Sequence, residues 1–589
     1  MLLSIAGFIL LNIALAGLFI LAGLSVYGLL GPGVRHPLSL KVGIGFFSGL
    51  SLFVLCYRTV ASHDARLGLI ITLAGMLLLA VLVVVSMKDG VRDALHAMWE
   101  RRTAILLTAA ITPLFVLAMW LEPRPSMVLH PSDPLATLHS GRYANVVLYI
   151  LQENYMPVLG QNYLQSLLAS TVPMVTGWHW PLFALYLWLS ISVAMLTIMF
   201  YGTLRLFDFS HTRAYVGAAV LMLGNTALSL THVVVIDSGS PFFYNGYTDT
   251  LVSAGTFFVF LFYLRRIYFN GVTPADCIVP LVLGVTWNMY APQNSLLAIG
   301  LLFLAGLIAW RASRDYRKYL MALAVLCLAV WIGSFQGGFL APKKLLEETP
   351  IPGALKLAAG NKEYHIHAGL TGFRPTSHLP RTKWTPIAWH RYPLIQETAG
   401  NQPLRRKVLA RLSALYAAAY TFGSNLLAAF GLMFFPVLGM SLMGWLAARK
   451  KPARPDVSPA ADPMHLFAVS LAVFAGGFVV SFFLDIRNAY KWELSRFMTP
   501  GIALSMLLLV ISLYWIKDRF LKRSRGKYAW LPAAVFALTL FGPVTNIVFM
   551  SIVNVSAING PAYLSFTERL NLLFSTQSMI QYVDRPPDP

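Results

Sequence analysis

The sequence predicts an all-α integral membrane protein with about fourteen transmembrane helices, and three observations lead there. Of 589 residues, 57% are hydrophobic and only 12% charged. Apolar runs of about 20 residues, the length needed to cross a bilayer, recur from end to end. The basic residues collect in short segments between alternate runs rather than over the whole chain. A water-soluble globule with this composition would have no surface to present to water.

The expected spans are residues 3–30, 38–57, 67–87, 103–121, 181–203, 214–235, 249–264, 278–290, 295–310, 319–335, 413–447, 464–484, 499–516 and 529–552. The first is too long, with no Lys or Arg ahead of it, for a cleavable signal peptide, whose apolar core is about 7–15 residues behind a basic start. It is expected to remain as a helix.

A net charge of +21 would point to nucleic acid in a soluble protein. Here the distribution of the charge reports topology instead, because cytoplasmic loops of membrane proteins concentrate Lys and Arg. With the N-terminus outside, seven short inward loops hold 24 of the 45 basic residues, from Arg35 and Lys41 to the run Lys517–Lys527. The outward segments 58–66, 122–180, 236–248, 288–294, 484–498 and the tail after 552 hold nine. The other twelve lie in 336–412, a segment too long for the rule to govern. The partner implied is a lipid bilayer, with no nucleic acid.

Four regions follow. Residues 1–102 form an N-terminal three-helix block ending in the charged linker Lys88–Arg102, with no polar group tied to chemistry, and are expected to be scaffold. Residues 103–335 form a transmembrane core that includes the outward loop 122–180. Residues 336–412 form an outward loop domain, and 413–589 the C-terminal helices with a short outward tail. Cys56, Cys277 and Cys327 are too dispersed for a metal site or a disulfide framework. Neither a phosphate-binding glycine loop nor a metalloprotease motif is present, and no cofactor or metal is expected.

Three outward motifs carry the chemistry. The first is Ser132-Asp133-Pro134 with His139 and Arg142, followed by an amphipathic run to Ser170 shaped to lie along the membrane surface. A carboxylate at a membrane mouth is costly enough to point to a function. It is also well placed to cap a helix, with Pro in the first turn. The second motif is Tyr244-Asn-Gly-Tyr-Thr-Asp249 at the outer entrance of the seventh span, with Asp237 earlier in the same loop. An aspartate there is stabilised by the helix dipole by about 0.3–1 kcal/mol, so capping competes with a chemical role. The third is Glu493-Leu-Ser-Arg496-Phe-Met-Thr-Pro500, before the thirteenth span. A guanidinium there either snorkels to headgroups or grips a phosphate through two parallel hydrogen bonds.

In this order and on one side of the membrane, the motifs resemble those of the GT-C glycosyltransferases. Among these, the likeness is to bacterial relatives of the polyprenyl-phosphate-sugar dependent protein mannosyltransferases, and it covers roughly residues 103–516. The resemblance implies a GT-C-like core with extracytoplasmic amphipathic helices. It also implies sugar transfer from a polyprenyl-phosphate donor to a glycan, lipid or protein acceptor on the extracytoplasmic face of the inner membrane. Asp133 would then match the carboxylate that activates the acceptor and Asp249 the aspartate of the second motif. Arg496 would match the arginine near the lipid phosphate, with His139, Arg142, Asp237 and Glu493 about the substrate.

Two departures stand out. Thr137 and Leu138 occupy places where a Tyr-His pair is common, and Trp287-Asn-Met-Tyr-Ala-Pro-Gln-Asn294 stands where a Lys-x-Glu element is common. The second departure points to an unusual donor or acceptor pocket. The long segment 336–412, with Lys362, His365, His367, Arg374, Trp384 and Arg391, suits an anionic lipid or glycan acceptor as well as a folded rim. A polysaccharide polymerase or ligase and a lipid-linked glycan transporter are the competing readings, the latter calling for broken helices at mid-membrane.

Overall fold

In the computed structural model, the residues described are 2–28, 37–61, 64–86, 164–207, 209–218, 248–270, 274–311, 315–334, 358–359 and 362–363, with single residues at 147, 150, 151, 154, 507, 510 and 511. The chain divides into two compact units. One comprises Met1–Met199, Asn245–Thr376 and Val553–Pro589, and the other Phe200–Tyr244 and Ser377–Ile552.

The helices of the first unit, in chain order, are α1 (Leu2–Gly28), α2 (Leu38–Ala61), α3 (Ala65–Ser86), α4 (Leu164–Thr176), α5 (Pro181–Leu206, whose last residues enter the second unit), α6 (Thr248–Asn270), α7 (Ile278–Tyr290), α8 (Pro292–Arg311) and α9 (Arg317–Ser334). A 3-10 turn, Pro274–Cys277, precedes α7. A two-residue antiparallel pairing joins β1 (Ala358–Ala359) to β2 (Lys362–Glu363). Among the described residues, six helices are long and apolar enough to cross a bilayer: α1, α2, α3, α5, α6 and α8. The protein is thus a multi-pass membrane protein. The spans expected at 103–121, 413–447, 464–484 and 529–552 lie outside the described residues, as do most of 214–235 and 499–516.

The ends of these helices follow from local chemistry. Trp180 O accepts from Ala184 N at 3.0 Å, and Pro181 occupies the first helical position of α5, where no amide is needed. Gly177, at φ 72°, ends α4 in the left-handed region, its amide donating to Pro173 O at 2.8 Å. Ala291 alone joins α7 to α8, its amide donating to Trp287 O at 2.7 Å before Pro292 starts the next helix.

Small residues let α1 and α2 approach backbone to backbone. A β-carbon at Gly23 would overlap the Gly45 carbonyl oxygen, and one at Gly49 would overlap that of Phe19. Gly45 and Gly49 are four apart and so share one helix face, the arrangement that brings membrane helices close where no water exists to drive them together. Around this contact Phe19 lies 5.0 Å from Phe53 and 5.6 Å from Trp188, ring centre to ring centre. On the opposite face of the block Ile70, Leu77, Leu78, Val81 and Val85 of α3 stay exposed, which in a bilayer is contact with lipid.

Contacts between distant segments report which helix ends share a side. Phe8, near the start of α1, packs against Trp178 and Trp180, just ahead of α5. Asp64, between α2 and α3, meets Asn154. Ser253, near the start of α6, bonds Asn294, near the start of α8. All of these segments belong to the outward set of the charge analysis. Lys318 donates to Tyr268 O at 3.1 Å, and both belong to the inward set. Arg266 pairs with Asp276 at 3.0 Å, holding the turn between α6 and α7 with both side chains largely buried. A buried charge without such a partner would be strongly destabilising.

The described part of the amphipathic run differs from expectation. Every residue of α4 from Leu164 to Pro173 is buried, with no polar face left to solvent. The helix packs against α1, α2 and α6. Two of its hydroxyls bond back within it: Ser170 donates to Leu167 O and Thr171 to Leu168 O, at 2.8 and 2.7 Å.

In the second unit, Tyr201 at the end of α5 hydrogen-bonds His211 Nδ1 at 2.7 Å and stacks on its ring. Arg205 Nη1 donates to Phe209 O, closing the turn into the helical residues 211–218.

Candidate functional site

Of the candidate site residues only Asp249 falls among the described ones. It lies in the first turn of α6, one residue after the helix begins at Thr248. Asp133, His139, Arg142, Asp237, Glu493 and Arg496 lie outside the described residues.

A helix that starts at Thr248 puts positions 249, 253 and 256 on one stripe, since residues four and seven apart return to the same face. The two lower positions are polar and buried among α6, α7 and α8. Ser253 Oγ donates to Asn294 Oδ1 at 3.2 Å, and Asn294 Nδ2 donates to Ser253 O at 2.8 Å. One turn deeper, Thr256 Oγ1 accepts from Trp287 Nε1 at 2.9 Å and from Tyr290 OH at 3.2 Å, while donating to Val252 O at 2.8 Å. A hydroxyl has one proton and two lone pairs, so Thr256 is saturated. At 1.5 Å rise per residue the Ser253–Asn294 layer lies about 6 Å below position 249, and the Thr256 layer about 10 Å below it.

Residues of the segment 287–294 thus build these layers. Trp287 and Tyr290 come from the last turn of α7, and Asn294 from the first turn of α8. Sequence reasoning singled out the segment but not Ser253 or Thr256. A serine and a threonine inside an apolar helix usually bond back to their own carbonyls, and nothing local says otherwise.

The chemistry of the layers is uncharged. Their described side chains offer hydroxyls, an amide and two aromatic rings, and no cation or carboxylate. Ser295, next to Asn294, is 1% exposed and its hydroxyl has no hydrogen-bond partner. Among the described residues no three of His, Cys, Asp and Glu come together to hold a metal ion.

A second polar cluster joins Asn154 to the start of α3. Asn154, at φ 52°, follows helical residues at 147, 150 and 151 and adopts the left-handed conformation common at helix ends. Its carbonyl accepts from Ala65 N and its Oδ1 from Arg66 N, both at 2.9 Å. Its Nδ2 donates to Asp64 Oδ1 at 3.0 Å, and the same oxygen accepts from Leu67 N at 2.8 Å. The Leu67 amide, with smaller help from Asn154 and Arg66, holds the Asp64 carboxyl below its ordinary value of 3.8. The N-terminal block, expected to be scaffold, thus bonds Asn154 through the start of α3.

No protein-family model matches the chain, and neither the curated proteins nor the solved structures contain a match to it.

Proposed function

We propose that the chain is a membrane glycosyltransferase that moves a sugar from a polyprenyl-phosphate donor to a glycan, lipid or protein acceptor on the extracytoplasmic face of the inner membrane. The observation that carries this reading is Asp249 at the head of a membrane-length helix, above two buried layers of neutral polar and aromatic groups. The order of the three outward motifs, and the likeness to GT-C enzymes that it supports, supply the reaction.

In the reaction Asp133 takes the proton of the acceptor hydroxyl while that oxygen bonds to the anomeric carbon. The bond from that carbon to the phosphate oxygen breaks, and the electron pair leaves with the phosphate. Arg496 meets the departing phosphate with two hydrogen bonds. Direct displacement with a single base inverts the anomeric centre.

The test uses purified protein, a polyprenyl-phosphate sugar and release of polyprenyl phosphate as the readout. Asp133→Asn keeps the size and much of the capping capacity but loses the base, so release falls by about 10²–10⁴-fold while donor binding persists. Arg496→Lys keeps the charge but loses the fork and weakens donor binding. Unchanged release in Asp133→Asn rejects the role of Asp133. No binding of any polyprenyl-phosphate sugar by the wild type rejects the transferase.

A transporter of lipid-linked glycan is the second reading. The break at Ala291 beside buried polar groups favours it, since discontinuous helices line transport sites.

A further inference from the structure

The connection from α8 to α9 gathers cations where two exposed apolar stripes end. A β-carbon at Gly306 would lie 3.4 Å from that of Tyr319, so the two helices touch about one turn before their connected ends. Beyond that contact Trp310, Arg311, Tyr316 and Arg317 are all exposed, with Arg314 between them in the sequence. Lys318 joins them, its Nζ donating to Tyr268 O in the last turn of α6 at 3.1 Å. By helical spacing Arg311 continues the exposed stripe of Leu304 and Ile308, and Arg317 that of Met321 and Leu328. In a bilayer such stripes are contact with acyl chains, so each arginine stands where the chains give way to headgroups.

We propose that the α8–α9 connection is a docking site for an anionic phospholipid, with its phosphate among Arg311, Arg317 and Lys318 and its acyl chains along the two stripes. The helix dipoles single out Arg317. Arg311 complements the negative end of α8 and Lys318 serves the last turn of α6, but Arg317 lies in the first turn of α9, where the dipole favours an anion. Asp315 answers in part, its Oδ1 accepting from Arg317 N at 3.2 Å. One carboxylate beside three cations leaves positive charge in excess at this edge. A phosphodiester meets a guanidinium through two parallel bonds, while the ammonium of a zwitterionic lipid cancels much of the attraction. Trp310 and Tyr316 are rings of the kind that rests at headgroup level. The charge analysis makes this end inward, the side on which anionic lipids attract basic segments. The proposal is independent of the transferase reading.

The experiment titrates purified full-length protein, in lipid-free detergent, with phosphatidylglycerol, phosphatidylcholine and soluble glycerol phosphate, and counts bound molecules by native mass spectrometry. Wild type should prefer phosphatidylglycerol. Arg317→Gln should weaken that binding about fivefold and Arg311→Gln with Arg317→Gln about twenty-fivefold, with phosphatidylcholine unchanged. Arg66→Gln removes an exposed cation at the start of α3, away from this connection, and should leave phosphatidylglycerol binding at the wild-type level. Melting temperatures without lipid should match for all variants, since the replaced side chains are exposed, and this separates lost binding from lost folding. Equal affinity of wild type for the two lipids overturns the proposal, as does an effect of Arg66→Gln as large as that of Arg317→Gln, which would reduce the attraction to net charge. Glycerol phosphate bound as tightly as phosphatidylglycerol, and weakened by the same variants, would assign the cluster to a free anion and overturn the lipid assignment too.

Discussion

Asn154 and Asp64, ninety residues apart, together satisfy the first amides of α3: Asn154 takes those of Ala65 and Arg66, Asp64 takes that of Leu67, and their side chains bond each other at 3.0 Å. A helix start leaves its first amides without intrahelical partners, and here Asn154 supplies two of the acceptors.

Asn154→Ala should destabilise the protein more than Asn154→Gly. Both lose the side-chain bonds, at about 1–2 kcal/mol for a cap, but only alanine also pays for the left-handed backbone. Thermal unfolding in detergent measures the order, and a protease that cuts within 122–163 should act faster on both variants. Equal stability of the Ala and Gly variants would show that the φ of 52° is not maintained.

The joint should also respond to acid. The folded-state pKa of Asp64 is depressed, so its contribution is fully present above the ordinary value of 3.8 and is lost as pH falls through the lower folded value. Protease resistance of the loop should hold from neutral pH to about 4 and decline below that, with Asp64→Asn removing the acid-dependent part. A decline centred near pH 6 would assign the change to a histidine instead.

Close packing of α1 on α2 makes a graded prediction for glycine. Gly49→Ala places a β-carbon on the Phe19 carbonyl, a backbone atom that cannot swing aside, and should cost about 1–3 kcal/mol. Gly17→Ala, with nothing within 4 Å of the new carbon, should be neutral or slightly stabilising, because alanine favours the helix. Melting temperatures of the two variants should separate, and equal values would contradict the backbone contact.

Topology is testable by labelling single cysteines in a protein whose three native cysteines are replaced. Thiols at 62–63 and 178 should react with an impermeant reagent from one side, and thiols at 271–273 and 312–314 from the other. Residues 340–400 should follow the first group and 517–527 the second. Reversal of both groups would keep the helix alternation and move Asp133 to the cytoplasm, which is incompatible with an extracytoplasmic transferase.

Where the helices are was legible in the sequence because spanning a bilayer depends on length and summed apolarity, both local quantities. The expected spans 38–57, 67–87 and 181–203 lie on α2, α3 and α5, within a few residues at each end, whereas those at 278–290 and 319–335 fall on α7 and α9, which are helical but not among the six helices long and apolar enough to cross. The position of Asp249 in a first turn was legible for the same reason, since a polar loop giving way to an apolar run marks a helix start. What the polar residues meet was not. The run that ends at Ser170 reads as amphipathic in sequence, yet α4 is buried from Leu164 to Pro173, with α1, α2 and α6 packed against it. Asn154 and Ser253 carry no local mark of their roles. The partner of the first is ninety residues away and that of the second forty-one, across a helix break, and only the tertiary structure brings such groups within the 3 Å that a hydrogen bond requires.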